Sequence, residues 1–299
     1  MLPRQYSESL GHTGGMRIAT ARHGDRVIYG PVVDDTIRDV SATVVDPNAL
    51  VGLAHTAEGR EQVDAMGEAA PRFPLSELDF LPPVPNPRRI MCVGTNYADH
   101  IAESDRVQEV PAHPVIFVRF PSSLVGHGQQ LVRPRVSTSY DFEGELAIVI
   151  GETARYVKPD KALSVVAGYS CFMDGTLRDF QRHTSQFTAG KTFDRSGAFG
   201  PCLVTSDEIG DPHELTLTTT VNGTVMQQAS TRLLIHDLRA IVSYCSTFTT
   251  LEPGDVIATG TPGGVGYART PPVWLTPGTE VSVDITGVGT LVNSVVEEA

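Results

Sequence analysis

The chain has 299 residues, which predicts one large domain or two unequal ones. Its apolar fraction of 40% fits a folded protein, and a net charge of −12 without any basic run argues against a nucleic-acid partner. No apolar run reaches the ~20 residues of a membrane span, so we expect no membrane partner. Four cysteines without a CxxC pair and the absence of an apolar leader predict a reduced, cytoplasmic protein.

The N-terminal part of the sequence predicts a small α+β domain behind a flexible extension. Residues 1–15 (MLPRQYSESLGHTGG) have no apolar periodicity and are interpreted as the extension. Within the small domain, residues 16–86, two short strands flank a turn at His23-Gly24-Asp25 and a helical pattern covers residues 47–69. The proline-rich stretch FLPPVPNPRR blocks both helix and sheet pairing and therefore predicts a domain boundary near residue 86.

Strand signals dominate the larger domain, residues 87–299. Most of its apolar segments are β-branched or alternate with polar residues, and Asn222-Gly223 is a strong hairpin turn. The overall prediction is therefore a β-rich α+β fold rather than an alternating βαβ fold. The helices that we predict here cover about 95–105, 160–166, 176–184 and 235–249.

Three acids begin the strand DFEGELAIVIG at every second position. In a strand, side chains two residues apart share a face, so Glu143 and Glu145 point the same way, with Asp141 before them. The opposite face carries apolar residues that can pack in a core. A solvated strand end is the alternative, because acids are mostly exposed.

A further acid, Asp174, ends the buried strand of GYSCFMDGTLRDF, either as a helix cap or as a group that projects into a cleft. If Asp174 converged with Glu143 and Glu145, the three bare anions would repel one another. A hard divalent cation with oxygen ligands removes that penalty, so the pattern favours Mg²⁺ or Mn²⁺. Zn²⁺ is disfavoured because neither His nor Cys stands at ligand spacing here.

Other candidate residues lie in two further segments. On a short helix, His100 and Glu103 would face each other at i and i+3 and form a general-base pair, or only a surface contact. Lys191 follows Ala189-Gly190 and would stabilise developing negative charge beside a metal-bound anion, unless it is a solvated surface charge. Gln181 is a second hydrogen-bond donor for the same oxygen.

The glycine-rich segment GTPGGVG, residues 260–266, lacks both the GxGxxG spacing and the P-loop ending. It predicts a tight turn where the backbone passes close to another group.

Five of these stretches occur in one order over about 200 residues: GxNYxDHxxE, DFEGELAxVIG, GYxxFxDxxxRDxQ, QFTxGKxFD and PGDVIxTGTPxGVG. In that combination the sequence resembles the fumarylacetoacetate hydrolase superfamily over roughly residues 88–296. The N-terminal segment resembles, less specifically, the small leading domain of bacterial members.

The resemblance implies a mixed β-sandwich roll that forms a homodimer. It implies Mg²⁺ or Mn²⁺, with Ca²⁺ as a substitute, held by the positions Glu143, Glu145 and Asp174. Asp141 is not a ligand in that pattern and is interpreted as a supporting residue.

The resemblance also assigns roles around the metal. His100 and Glu103 would form the base pair on a mobile lid, and Lys191 and Gln181 would stabilise the oxyanion or enolate. Thr261, with Gly260 beside it, would contact the substrate carboxylate. Where many members have Lys-Pro, this chain has Arg119-Phe120, so Arg119 is a candidate for a distal substrate carboxylate or an ordinary surface arginine.

By this resemblance, the expected activity is metal-dependent hydrolysis of a C–C bond in a 2-oxo acid or 1,3-dicarbonyl substrate, such as an acylpyruvate, in the catabolism of aromatic or other carbon compounds. The same site also suits decarboxylation of an oxaloacetate-type acid, or isomerisation or hydration of a 2-oxo-enoic diacid. A catalytically silent metal-binding protein is the alternative from another class.

Overall fold

The computed structural model of the chain describes residues 15–103 and 109–299. The predicted extension therefore lies outside the described residues, except for Gly15. The α-helices are α1 (Pro47–Ala54), α2 (Ala57–Glu68), α3 (Ala98–Ala102), α4 (Arg178–Gln181), α5 (Thr188–Lys191) and α6 (Leu238–Phe248). Short 3₁₀ helices cover Leu75–Glu77, Pro121–Ser123, Pro159–Val165, Thr231–Leu233 and Gly266–Ala268.

Strands make up most of the regular structure. Those of the first half are β1 (Arg17–His23), β2 (Arg26–Val33), β3 (Thr36–Arg38), β4 (Arg72–Pro74), β5 (Asp79–Leu81), β6 (Ile90–Gly94), β7 (Val115–Val118), β8 (Leu124–Val125), β9 (Gln130–Arg133), β10 (Tyr140–Asp141) and β11 (Gly144–Ile150). Those of the second half are β12 (Val166–Met173), β13 (Thr176–Leu177), β14 (Gly197–Thr205), β15 (Thr216–Val221), β16 (Thr224–Ser230), β17 (Val256–Ala258), β18 (Glu280–Ile285) and β19 (Gly289–Glu297).

The protein has a strand-rich α+β fold, as predicted. A 12-stranded sheet has the main order β4-β3-β2-β1-β14-β12-β11-β17-β6-β7, and a 5-stranded sheet has the order β16-β15-β18-β19-β9. The two sheets pack on each other through β11 with β15, β12 with β18 and β14 with β19. Among the described residues, no helix is both long and apolar enough to cross a membrane.

The N-terminal strands belong to the large sheet. The predicted first hairpin is present as β1 and β2, and β1 also pairs with β14, with Arg17 opposite Val204. Residues 16–86 and residues 87–299 thus contribute to one continuous sheet, and the division of the chain into two domains stays a prediction.

β11 lies in the middle of the large sheet, which explains its apolar sequence. All seven of its residues are buried, and it pairs with β12 on one side and β17 on the other. Leu146 and Ile148 point into the core that the two sheets share. Ala147 and Val149 point to the opposite face, into a second core with residues of α1. Glu143 and Glu145 continue this second face beyond the apolar residues.

Some predicted helices are shorter in the structure because other contacts compete with them. Of the helix expected over residues 95–105, only α3 is present in the described part of the chain. Residues 104 and 105 lie outside that part. Asn96 precedes it in a buried position, where its amide donates to the carbonyls of His236 and Thr259. The helix expected over 176–184 begins instead with β13, which pairs with β10.

The remaining predicted helices and the predicted hairpin are present in the structure. The helix expected over 160–166 is a 3₁₀ helix, and that over 235–249 is α6. The Asn222-Gly223 hairpin is confirmed between β15 and β16, and both residues have the positive φ that a type I′ turn needs. α5 was not predicted.

Gly168 gives a test of the central packing. A Cβ at this position would lie 2.0 Å from the Val204 carbonyl oxygen on β14. We expect Gly168→Ala to lower the free energy of unfolding by about 1–3 kcal/mol, measured by denaturant titration, because the two strands must separate. Gly210→Ala is the control, since its Cβ would meet nothing within 4 Å; equal losses in both variants would contradict this view of the packing.

Candidate active site

Two paired strands bring three acids together. Glu143 directly precedes β11 and Asp174 directly follows β12, and Gly144 lies opposite Met173 in the antiparallel register. The Asp174 N–H donates to the Glu143 carbonyl at 2.8 Å, which continues the pairing by one residue. One carboxylate oxygen from each of Glu143, Glu145 and Asp174 lies within 4.8 Å of the others, and all three residues are buried.

Two cations neutralise part of this cluster. Lys191 Nζ lies 2.6 Å from both Glu143 Oε2 and Asp174 Oδ2. Arg178 Nη2 lies 2.6 Å from Glu143 Oε1, although the two groups are not aligned for a hydrogen bond. Burial alone would raise the pKa of Glu143, but the charges of Lys191 and Arg178 outweigh it and hold that pKa below its ordinary value.

Glu145 is the acid of the cluster without a cationic partner. Its Oε2 accepts the Gly260 N–H at 2.8 Å, and the described residues provide no ion pair to it. Burial, together with the charges of Asp174 and Glu143, raises the pKa of Glu145 well above its ordinary value. An added divalent cation would remove this repulsion, and three carboxylate oxygens are the ligands that Mg²⁺ and Mn²⁺ prefer. The donor set therefore fits such an ion.

Asp141 supports the cluster from behind. It is fully buried, its Oδ1 accepts the Gly266 N–H at 2.8 Å, and its Oδ2 accepts from Arg178 Nε at 2.8 Å and Tyr267 N–H at 3.2 Å. The Asp141 carboxylate thereby fixes the glycine-rich segment and orients Arg178 toward Glu143. The arrangement agrees with the supporting role interpreted for Asp141.

Arg178 is not among the residues predicted from the sequence, although a signal for it exists. Several buried acids need buried cations, and Arg178 stands four residues after Asp174 in the same segment. Its guanidinium is buried and donates to both Asp141 and Gln181.

Arg119 lies behind the cluster and not at the substrate side, in contrast to the candidate role above. Its side chain is 0% exposed, and Nη1 lies 2.5 Å from Asp174 Oδ1 and 2.9 Å from the Gly175 carbonyl. Nη2 and Nε donate to the hydroxyls of Ser196 and Ser123. With its donors engaged in the protein interior, Arg119 orients Asp174 and has no free edge for a ligand.

An open cleft of about 870 Å³, including its mouth, lies in front of the cluster. Seven of the candidate residues line it: His100, Glu143, Glu145, Asp174, Gln181, Lys191 and Thr261. The chain thus brings these residues to one surface from five separate segments.

The proposed base pair stands at the side of this cleft. His100 Nδ1 and Glu103 Oε2 are 3.6 Å apart, which is close enough for an ionic contact but too long for a hydrogen bond. Both atoms are buried and have no hydrogen-bond partner in the part of the chain that the structure describes. The other Glu103 oxygen accepts the Gly264 N–H at 2.7 Å, so the carboxylate is anchored to the glycine-rich segment.

Three further candidates have well-defined protein contacts. Gln181 Oε1 accepts from Arg178 Nη1 at 3.0 Å. The Thr261 hydroxyl donates to the Gly144 carbonyl at 2.9 Å and accepts from Gln227. The Gly260 N–H is taken by Glu145, and its φ of +103° with a Cβ site 2.7 Å from the Asn96 Cβ requires glycine. Gly260 therefore positions Glu145 and does not line the cleft.

Comparison with known proteins agrees with this site. The profile described as "Fumarylacetoacetate (FAA) hydrolase C-terminal" matches residues 89–296. The chain belongs to the fumarylacetoacetate hydrolase family. It is 43% identical, over 254 residues that make up 84% of this chain and 80% of the relative, to "Oxaloacetate tautomerase FAHD2A, mitochondrial" of Bos taurus.

Solved structures of the family are similar throughout. A fumarylacetoacetate hydrolase from Exiguobacterium antarcticum has a TM-score of 0.81 and 37% identity, and the match covers 95% of this chain and 100% of that one. Maleylpyruvate hydrolase from Sphingobium sp. SYK-6, in complex with manganese(II) and pyruvate, has a TM-score of 0.78 and 31% identity, with the same coverage.

Glu145→Gln tests whether the three acids form a metal centre. Glutamine keeps the oxygen that accepts the Gly260 N–H and removes one charge from the cluster. Without metal, we expect the variant to be more stable than the parent by roughly 0.5–2 kcal/mol, because the repulsion is relieved. The parent should gain about 2.7 kcal/mol from Mn²⁺ at 100 times its Kd, and the variant should lose most of that gain.

Unfolding with Mn²⁺ or with a chelator measures both effects. Glu280→Gln, at an exposed strand position, is the matched control. If Mn²⁺ stabilised Glu145→Gln as much as the parent protein, the three acids would not be the metal site.

Arg119→Lys tests whether Arg119 orients Asp174 or binds substrate. A lysine keeps the charge but loses the multiple donors that hold Asp174, so we expect Mn²⁺ affinity to fall by about 10–100-fold in calorimetry. Arg133→Lys, in the surface ion pair with Glu297, is the control. Unchanged Mn²⁺ affinity together with a higher KM would instead support a substrate contact.

Proposed function

We propose that the protein is a divalent-metal-dependent enzyme that binds a 2-oxo acid and stabilises its enolate. The observation that carries this proposal is the cluster of Glu143, Glu145 and Asp174 at the base of an open cleft, in which Glu145 has no cationic partner among the described residues. When bound there, Mg²⁺ or Mn²⁺ would supply Lewis-acid stabilisation for negative charge on the substrate. The manganese and pyruvate in the Sphingobium relative support the choice of ligand.

The residues around the cluster suit an enolate. Lys191 is held at 2.6 Å from two of the three acids, so its positive charge lies beside any anion that approaches them. Gln181 lines the same cleft, and its Oε1 is taken by Arg178, which leaves its amide N–H groups to donate. His100 also lines the cleft and supplies a ring nitrogen that can accept or return a proton.

Among reactions through an enolate, keto–enol tautomerisation of an oxaloacetate-type acid has the strongest support. The 43% identity to an oxaloacetate tautomerase covers most of both chains. The reaction moves one proton between a carbon and the enol oxygen and consumes no water. An acid–base group at His100 would move the proton, while the charge at Lys191 and the bound metal would stabilise the enolate.

Hydrolysis of a C–C bond, as in an acylpyruvate, is the second candidate. The observation that favours it is the His100–Glu103 pair, because a carboxylate beside an imidazole can orient the ring toward a water molecule. In this reaction His100 takes a proton from water, and the hydroxide attacks the distal carbonyl. The C–C bond then breaks with its electron pair on the enolate of pyruvate, which is subsequently protonated. The cytoplasmic location, the homodimer and the role in aromatic catabolism stay predictions.

A substrate panel with Mn²⁺ or Mg²⁺ separates these reactions. Enol-oxaloacetate, acetylpyruvate and fumarylpyruvate are followed by loss of enol absorbance, and the products are identified. Conversion of enol- to keto-oxaloacetate without pyruvate or CO₂ indicates tautomerisation, and acetate with pyruvate from acetylpyruvate indicates hydrolysis. Pyruvate with CO₂ indicates decarboxylation. No metal-dependent change in any of these 2-oxo acids would refute the proposal.

His100→Ala tests the acid–base role. We expect kcat to fall by roughly 10²–10⁴-fold on the active substrate, because a positioned acid–base group contributes about that factor. Mn²⁺ affinity should stay within about threefold, since ligand affinity depends on the acids and the groups that orient them. His183→Ala is the control, because His183 is exposed and stands two residues after Gln181 in the sequence. A large loss of Mn²⁺ binding in His100→Ala would remove His100 from the base position.

A further inference from the structure

One of the cations that line the cleft has no acidic partner among the described residues. Three fixed cations line the cleft: Arg178, Arg182 and Lys191. Lys191 is paired with Glu143 and Asp174, and Arg178 is paired with Asp141 and Glu143.

Arg182 differs from the other two cations. Arg182 is an exposed residue, and among the described residues its side chain makes a cation–π contact with Tyr267, whose ring centre lies 4.8 Å from Cζ.

Arg182 is held near Arg178 by local structure. It caps α4, and its backbone N–H donates to the carbonyls of Arg178 and Asp179. Positions i and i+4 share one face of a helical turn, so the two arginines are neighbours and repel each other. The charge of Arg178 is compensated by acids, whereas that of Arg182 is available to an anion that enters the cleft.

Tyr267 is the platform for both guanidinium groups. The carbon Cζ of Arg178 lies 4.5 Å from its ring centre, and that of Arg182 lies 4.8 Å away. Tyr267 is held at its backbone and at its hydroxyl. Its backbone N–H donates to Asp141, and its hydroxyl lies 3.4 Å from the Glu103 carbonyl. A guanidinium whose Cζ lies over a fixed ring can keep its N–H groups free to bind a carboxylate.

We propose that Arg182, stacked on Tyr267, binds a second carboxylate of the substrate and makes the site selective for 2-oxo dicarboxylic acids over 2-oxo monocarboxylic acids. The inference rests on the proposed function, which places the 2-oxo acid end of the substrate at the acid cluster. It assigns to Arg182 the distal contact for which Arg119 was a candidate, since Arg119 is engaged in the interior.

Binding to the Mn²⁺-loaded full-length protein tests the proposal with two probes. 2-Oxoglutarate carries a distal carboxylate, and 2-oxobutyrate has the same 2-oxo acid end without one. We expect Arg182→Met to weaken 2-oxoglutarate by about tenfold, the value of a charge-assisted hydrogen bond, and to leave 2-oxobutyrate within about twofold. Arg182→Lys should give an intermediate loss, because the charge remains and the planar fork is lost.

Arg155 provides a matched control. It is also an exposed arginine stacked on a tyrosine, with its Cζ 4.3 Å from the Tyr156 ring centre, and it does not line the cleft. Arg155→Met makes the same change in net charge and should alter neither affinity. Tyr267→Phe keeps the ring and should retain the preference for the diacid, whereas Tyr267→Leu should reduce it as Arg182→Met does.

The outcomes separate this inference from the proposed function. If Arg182→Met weakened both probes equally, or neither, Arg182 would not bind the distal carboxylate. If the parent protein bound 2-oxobutyrate but showed no preference for 2-oxoglutarate, the subsite would be refuted while the proposed function stood. If the parent protein bound neither probe with Mn²⁺, both would be refuted.

Discussion

The burial of four carboxylates at one end of β11 and β12 is the constraint on which the rest of the site depends. Buried charges are tolerated only when they are paired, and the chain places three cations against these acids. The acids are Asp141, Glu143, Glu145 and Asp174, and the cations are Arg119, Arg178 and Lys191. With all four acids ionised, as metal binding would require, four negative and three positive charges give a net charge of −1. A divalent cation would turn it to +1, which suits an anionic substrate and explains why the protein alone leaves Glu145 unpaired.

The glycine-rich segment connects the parts of this charge arrangement. Its backbone N–H groups donate to Glu145 through Gly260, to Glu103 through Gly264 and to Asp141 through Gly266. A proposed metal ligand, the partner of the proposed base and the partner of Arg178 are thus held by one short loop. The close backbone approach predicted for this segment is present, since a Cβ at Gly264 or Gly266 would lie 2.2 or 1.9 Å from a carbonyl oxygen. The segment itself is irregular with a bend at Gly263, in contrast to the tight turn predicted for it.

The parts of the site that local periodicity determines could be predicted from the sequence. The two-residue period of a strand placed Glu143 and Glu145 on one face, and the end of the next strand indicated Asp174. Arg119 was misplaced because its surroundings depend on a contact with Asp174, 55 residues away, which has no local signature. The helix near residue 100 was predicted too long for a similar reason, since Asn96 is bound by distant carbonyls.

The position of Lys191 shows how the acids and the ligand are coupled. Its ammonium group contacts Glu143 Oε2 and Asp174 Oδ2 at 2.6 Å. Each carboxylate oxygen has more than one lone pair, so a metal ion and Lys191 can share the same carboxylates. Burial favours the neutral amine, but the two acids outweigh it and raise the pKa of Lys191 above its ordinary value. The ammonium is therefore charged at neutral pH and lies beside the proposed metal site, where charge on an enolate would develop. Arg178 is paired in the same way with Asp141 and Glu143. Because both inner cations are paired with acids, the proposed contact to a distal anion is made by Arg182, which lies farther out.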